Sequence, residues 1–167
     1  MTKKDVKKIL FVCTGNIFRS VAAEYCLRDH LEKEGVKNVV IKSAGTMKFK
    51  QVNHPLVLKT LSSLGIDARR HKQVKLNKKM LYEQDLVVAM AKDHQDFIKK
   101  EFGLDIPLFN ELALKKSVSV LDVCDAVPDY KTNQEAFEKH IDVTVRYIHE
   151  MIPKIKEELV NRNIIQS

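Results

Sequence analysis

Cysteine is scarce in this chain. Its 167 residues include three, Cys13, Cys26 and Cys124, an odd and widely spaced set with no CxxC pair. That pattern argues against a disulfide framework and against a zinc site, and it leaves at least one thiol free. Long apolar runs are missing as well: no stretch approaches the roughly 20 residues that a bilayer-spanning helix needs. The first residues, MTKKDVKK, are basic, but they lead into a strand-length apolar run without a small-residue cleavage site, which argues against a secretory signal. Cytoplasm is the expected compartment, with signal-independent export left open. No internal repeat, low-complexity tract or linker interrupts the chain.

What is present fits an ordinary globular protein. Hydrophobic residues make up 44% and charged residues 31%, outside the disordered, fibrous and membrane ranges. The length suits a single domain spanning 1–167, with enough chain for one substantial core. Net charge is +7, with Lys and Arg bunched at Lys3–Lys8, Arg69–Lys75 and Lys78–Lys79. No aromatic-interleaved RNA motif, zinc finger or basic zipper accompanies that charge, so it reads as solvated faces and no nucleic-acid partner is expected.

Periodicity alternates short apolar strands with helices. Lys8–Val12, Val39–Lys42 and Asp85–Met90 read as buried strands; Ile106–Phe109 and Val118–Val123 are weaker strand candidates. Val21–Glu34, His54–Leu64 and Asp93–Phe102 read as helices, each followed by a glycine. Asn133–Asn161 is a long amphipathic helix with Asn133 as N-cap, and Pro153 is expected to kink or divide it. The alternation predicts a doubly wound α/β sandwich with a parallel sheet, in which ligands bind beyond the carboxyl ends of the strands.

The loop after the first strand, Cys13-Thr14-Gly15-Asn16-Ile17-Phe18-Arg19, lies at such an end. Successive N–H groups of a loop this short can turn inward as an anion nest backed by the positive end of the following helix. Gly15 and Asn16 tolerate the left-handed backbone angles that such a cradle requires. Arg19 adds a planar fork of donors that matches two oxygens of a tetrahedral anion. At the floor, Cys13 meets the same dipoles, the guanidinium and a hydrogen bond from Ser20, all of which favour a nucleophilic thiolate.

VCTGNIFRS closely resembles the active-site loop of the low-molecular-weight protein-tyrosine phosphatases. The likeness continues through SAGT at Ser43–Thr46, GID at Gly65–Asp67 with His71 beyond it, DLVVAM, and PDY at Pro128–Tyr130. The resemblance implies a four-stranded parallel sheet with flanking helices, and hydrolysis through a phosphocysteine without metal or other cofactor. It implies Cys13 as nucleophile, Arg19 as phosphate-binding and transition-state group, and Asn16, Ser20, Ser43 and His71 as loop support. Asp129 is the implied general acid, protonating the leaving phenolate and then activating water; Asp125 competes for that role. The implied partners are a tyrosine-phosphorylated protein or peptide, and inorganic phosphate or similar oxyanions.

Three departures accompany the likeness. Pro128 precedes Asp129 and Tyr130 follows it, where the family usually has Asp-Pro. Phe18 stands where many relatives carry a second cysteine, so an oxidised Cys13 has no adjacent thiol to trap it. The cleft wall is expected from Ile17, Phe49 and Tyr130, with Phe49 in place of the larger or more polar aromatics often seen there. Related activities remain open: arginine phosphatases typically have threonine where Ile17 stands, and Ile17 suits the flat face of a phenyl ring better. Arsenate reductases need two further cysteines near one another, which Cys26 and Cys124 do not supply. A phosphate-binding module without turnover is the non-enzymatic alternative.

Overall fold

The computed structural model describes residues 5–47 and 53–166. The first strand, β1 (Lys7–Cys13), is the centre of the sheet, and its side chains alternate between two cores. Ile9, Phe11 and Cys13 enter one cluster while Leu10 and Val12 enter the other, and all five are almost wholly excluded from solvent. A strand buried on both faces has no place for a polar residue, which explains the unbroken run ILFVC. Truncating Phe11 to Ala would cost about 3–5 kcal/mol, as large-to-small changes at buried aromatics do.

Helix α1 (Arg19–Lys33) follows β1 directly and crosses back to β2 (Val39–Gly45), which pairs parallel to β1 with Cys13 opposite Gly45. After α2 (Pro55–Ser63) and the short α3 (Lys78–Tyr82), β3 (Leu86–Ala89) pairs on the other side of β1 with Ala89 opposite Val12. Helices α4 (Lys92–Phe102), α5 (Phe109–Leu114), α6 (Val123–Ala126) and α7 (Gln134–Asn161) complete the order. Ile141, Val145, Ile148, Ile152, Ile155 and Leu159 make the buried stripe of α7, which packs on α1, α2 and α5. Ile98 of α4 and Leu81 of α3 fill the opposite face of the sheet. Because the strands are parallel, their carboxyl ends share one edge, where Cys13, Gly45 and Met90 meet the loops.

Three expectations change. The sheet among the described residues has three strands in the order β2-β1-β3, not four. The fourth position is reduced to a single parallel bridge between Ala89 and Leu108, because Pro107 has no N–H to extend a ladder and α5 starts at Phe109. Val118–Val123 is not a strand: the Val120 amide donates to Met90 O at 2.8 Å and its carbonyl is taken by Arg19. Pro153 does not divide the last helix, which runs unbroken as α7. Pro153 lies on its exposed face, where water can serve the carbonyl that lost its partner.

Candidate active site

The loop between β1 and α1 is held by a buried set of side chains centred on Asn16. This residue is fully buried and sits in the left-handed region at φ 54, a conformation that asparagine tolerates better than most side chains. Its Nδ2 donates to Ser20 Oγ at 3.0 Å and to Ser43 Oγ at 2.7 Å, while Oδ1 accepts from the Val74 amide at 3.0 Å. His71 Nε2 donates to Asn16 O at 3.0 Å. Ser43 in turn donates to Glu24, whose carboxylate is also bound by Arg28. All four predicted support residues, Asn16, Ser20, Ser43 and His71, therefore come together.

Cys13 is the residue this network surrounds. Its Sγ lies 2.9 Å from Ser20 Oγ and 3.3 Å from the Asn16 amide, two groups able to donate to a thiolate. Below the loop, β2 comes unusually close. A Cβ on Gly45 would stand 2.6 Å from Thr14 O and 3.0 Å from Asn16 N, so only glycine fits at the end of β2. The sheet pairing also continues into the loop, with Thr46 N donating to Cys13 O and Met47 N to Thr14 O, both at 2.9 Å.

Arg19 begins α1 and is only 2% exposed. Nη1 donates to Val120 O at 3.0 Å and Nη2 to Asp122 Oδ2 at 2.6 Å. Its Nε is buried and finds no partner among the described residues. A buried N–H of a guanidinium is costly to leave unpaired, and an anion seated in the loop would satisfy it.

The acid candidates are less constrained. Asp129 is exposed in the turn before α7, with Oδ2 accepting from Asn133 Nδ2 at 3.0 Å. Asp125 is exposed on α6. Neither is hydrogen-bonded to the loop among the described residues. Tyr130 is half-buried against the main core, with Lys131 Nζ 5.8 Å from its ring centroid. Ile17 is half-buried, and Phe18 turns inward with its ring edge-on to His140 at 6.3 Å. Phe49 lies outside the described residues.

Residues not anticipated complete the site. Gln73 Nε2 donates to Gly15 O at 2.7 Å, Glu24 anchors Ser43, and Asp122 holds Arg19. The signal for Glu24 is Ser20-x3-Glu24-x3-Arg28, three polar residues at four-residue spacing on one face of α1. Gln73 and Asp122 carry no local signal, since both act across long sequence separations.

The sequence model for low molecular weight phosphotyrosine protein phosphatases matches residues 8–161. The chain belongs to that family. Among curated relatives of this phosphatase-family chain, the low-molecular-weight protein-tyrosine-phosphatase Etp of Escherichia coli (strain K12) is 30% identical over 169 residues, covering 97% of this chain and 98% of Etp. A protein-arginine-phosphatase of Bacillus subtilis is 37% identical over 98 residues, a match that covers 57% of this chain and 63% of that protein. In structure, the YwlE arginine phosphatase with a phosphorylated active-site serine superposes with TM-score 0.79 at 25% identity, covering 94% of this chain and 99% of the other. A low-molecular-weight protein tyrosine phosphatase from T. tengcongensis does so with TM-score 0.75 at 27% identity, covering 92% and 99%. Tyrosine and arginine phosphatases thus both occur among the relatives.

Proposed function

We propose that this family member hydrolyses phosphotyrosine in proteins or peptides, with Cys13 as nucleophile, Arg19 as the phosphate clamp and Asp129 as general acid and base. The observation that carries this reading is the pairing of a buried Arg19, its Nε unpartnered, with a cysteine facing the Ser20 hydroxyl and the Asn16 amide. Cys13 Sγ attacks phosphorus and the P–O bond to the phenol breaks, the leaving oxygen taking a proton from Asp129. The resulting Asp129 carboxylate then removes a proton from water as that water attacks phosphocysteine. Inorganic phosphate leaves and the thiolate is restored.

Arg19 and the inward amides stabilise the charge that spreads over the equatorial oxygens during transfer. The proton step depends on the reach of Asp129, whose side chain is tied, among the described residues, only to Asn133 at the start of α7. The turn that carries Asp129 is exposed, and half-buried Ile17 and Tyr130 offer apolar surface to a phenyl ring.

Phosphoarginine is the second reading, favoured by the arginine-phosphatase relatives in both sequence and structure. Ile17 weighs against it, because an apolar side chain cannot hydrogen-bond a guanidinium. Comparing kcat/KM on matched phosphotyrosine and phosphoarginine peptides separates the two. Preference for phosphotyrosine supports the main reading and preference for phosphoarginine overturns it. Absence of turnover on either, with phosphate still bound, identifies a binding module.

A further inference from the structure

A second buried side chain meets the loop at Thr14. His94, in the first turn of α4 and 1% exposed, stands with Nε2 2.8 Å from Thr14 Oγ1. Its other nitrogen, Nδ1, accepts from the Ala91 amide at 3.1 Å. An amide can only donate, so Nδ1 carries no hydrogen and the hydrogen of the neutral ring sits on Nε2. Asp93 Oδ2, 3.5 Å from Nε2, is an acceptor that agrees with that tautomer. Burial first, and then the charge of Arg19, lower the pKa of His94 to about 3 against the opposing pull of Asp122, which keeps the ring neutral.

Nε2–H therefore donates to Thr14 Oγ1, and Arg19 Nη2 approaches the same oxygen at 3.5 Å. With donors arriving from the buried side, the hydrogen of the Thr14 hydroxyl is left for the open side of the loop, and Thr14 is half-buried. We propose that His94 is a positioning residue: by donating from Nε2 to Thr14 it aims the Thr14 hydroxyl at the bound phosphate and keeps it beside Arg19. Thr14 then supplies a side-chain donor in addition to the loop amides and the guanidinium. This rests on the loop's role as the phosphate site given above.

The test is steady-state hydrolysis of para-nitrophenyl phosphate together with orthovanadate binding by calorimetry, on variants whose thermal unfolding shows them folded. His94→Phe is expected to lower kcat/KM and vanadate affinity about tenfold, the size of one hydrogen bond to a charged group, and Thr14→Val by the same factor. Because His94 acts through Thr14, the double variant should lie within about twofold of either single. His94→Gln and Thr14→Ser, which keep a donor and a hydroxyl, should recover most of the loss. Losses that multiply to about a hundredfold, or a folded His94→Phe with unchanged constants, overturn the proposal. If His94→Phe does not fold, Thr14→Val against Thr14→Ser decides, and equal constants for the two overturn it. If the wild-type protein does not turn over substrate, the phosphatase reading fails by itself, while the vanadate affinities still test His94.

Discussion

The phosphate loop and the segment from Asp122 to Asn133 are built in opposite ways. Between Cys13 and Ser20 the chain is largely buried, pinned by β2, by His71, Gln73 and Val74 and by His94 of α4, and its most demanding backbone angle is placed on a fully buried asparagine. The segment from Asp122 to Asn133, which carries both acid candidates, is exposed over much of its length, and several of its ties are local: Asp122 caps α6, and Asp129 meets Asn133 four residues on. A group that must bind a dianion gains from rigidity, since donors already in place need no reorganisation when charge builds up. A proton donor needs only to come within hydrogen-bond reach of the leaving oxygen, so it can sit on a loosely held turn. Among the described residues one hydrogen-bonded ion pair joins the two regions, between Arg19 and Asp122 at 2.6 Å.

The sharpest break of this contrast is Cys13→Ser, which should abolish para-nitrophenyl phosphate turnover while phosphate or vanadate binding remains measurable by calorimetry. Next comes Asp129→Ala, expected to slow phenyl phosphates by about 10²–10⁴-fold with little change in unfolding midpoint. Substrates with very good leaving groups should be slowed far less, and if Asp125→Ala shows that pattern instead, the acid is Asp125. Gly45→Ala should act on the rigid region alone: a Cβ 2.6 Å from Thr14 O must displace the loop, lowering kcat/KM about 100-fold, the scale of an ångström-sized misplacement.

The smallest effect concerns pH. His94 faces Arg19 from α1, Asp122 from the α6 cap and its neighbour Asp93, and its pKa in the folded protein falls to about 3. Between there and the usual histidine value the unfolded chain binds the extra proton, so stability should fall as pH drops through this window. The slope is at most about 1.4 kcal/mol per pH unit from this one group. Denaturant titrations of the wild type and His94→Gln at several pH values check it, the variant showing the shallower dependence.

Much of this was legible in one dimension because the signals are local. An apolar run buried on both faces, Cys13 and Arg19 spaced around a tight loop, and the N-cap at Asn133 each depend on neighbours a few residues away, and each appears where expected. The four-stranded sheet that the family resemblance implies is met as three strands and one bridge among the described residues, because in the weaker candidate Ile106–Phe109 Pro107 removes a ladder donor and Leu108 keeps a single bridge. Val118–Val123 failed for a different reason: the polar groups of Val120 are claimed by Met90 and Arg19 rather than by a neighbouring strand.

Read alone, the sequence was enough for the Cys13–Arg19 loop after a buried strand and for the alternation of strands and helices, since these follow from residue type and short-range spacing. Tertiary structure decided which distant groups serve them. Glu24 stabilises Ser43, Gln73 holds Gly15, His94 meets Thr14, and Asp122 engages Arg19 from 103 residues away. Such pairings are set by where parallel strands deliver their carboxyl ends. A side chain that is an ordinary turn or helix residue in sequence becomes a partner only once the sheet has brought those ends to one edge.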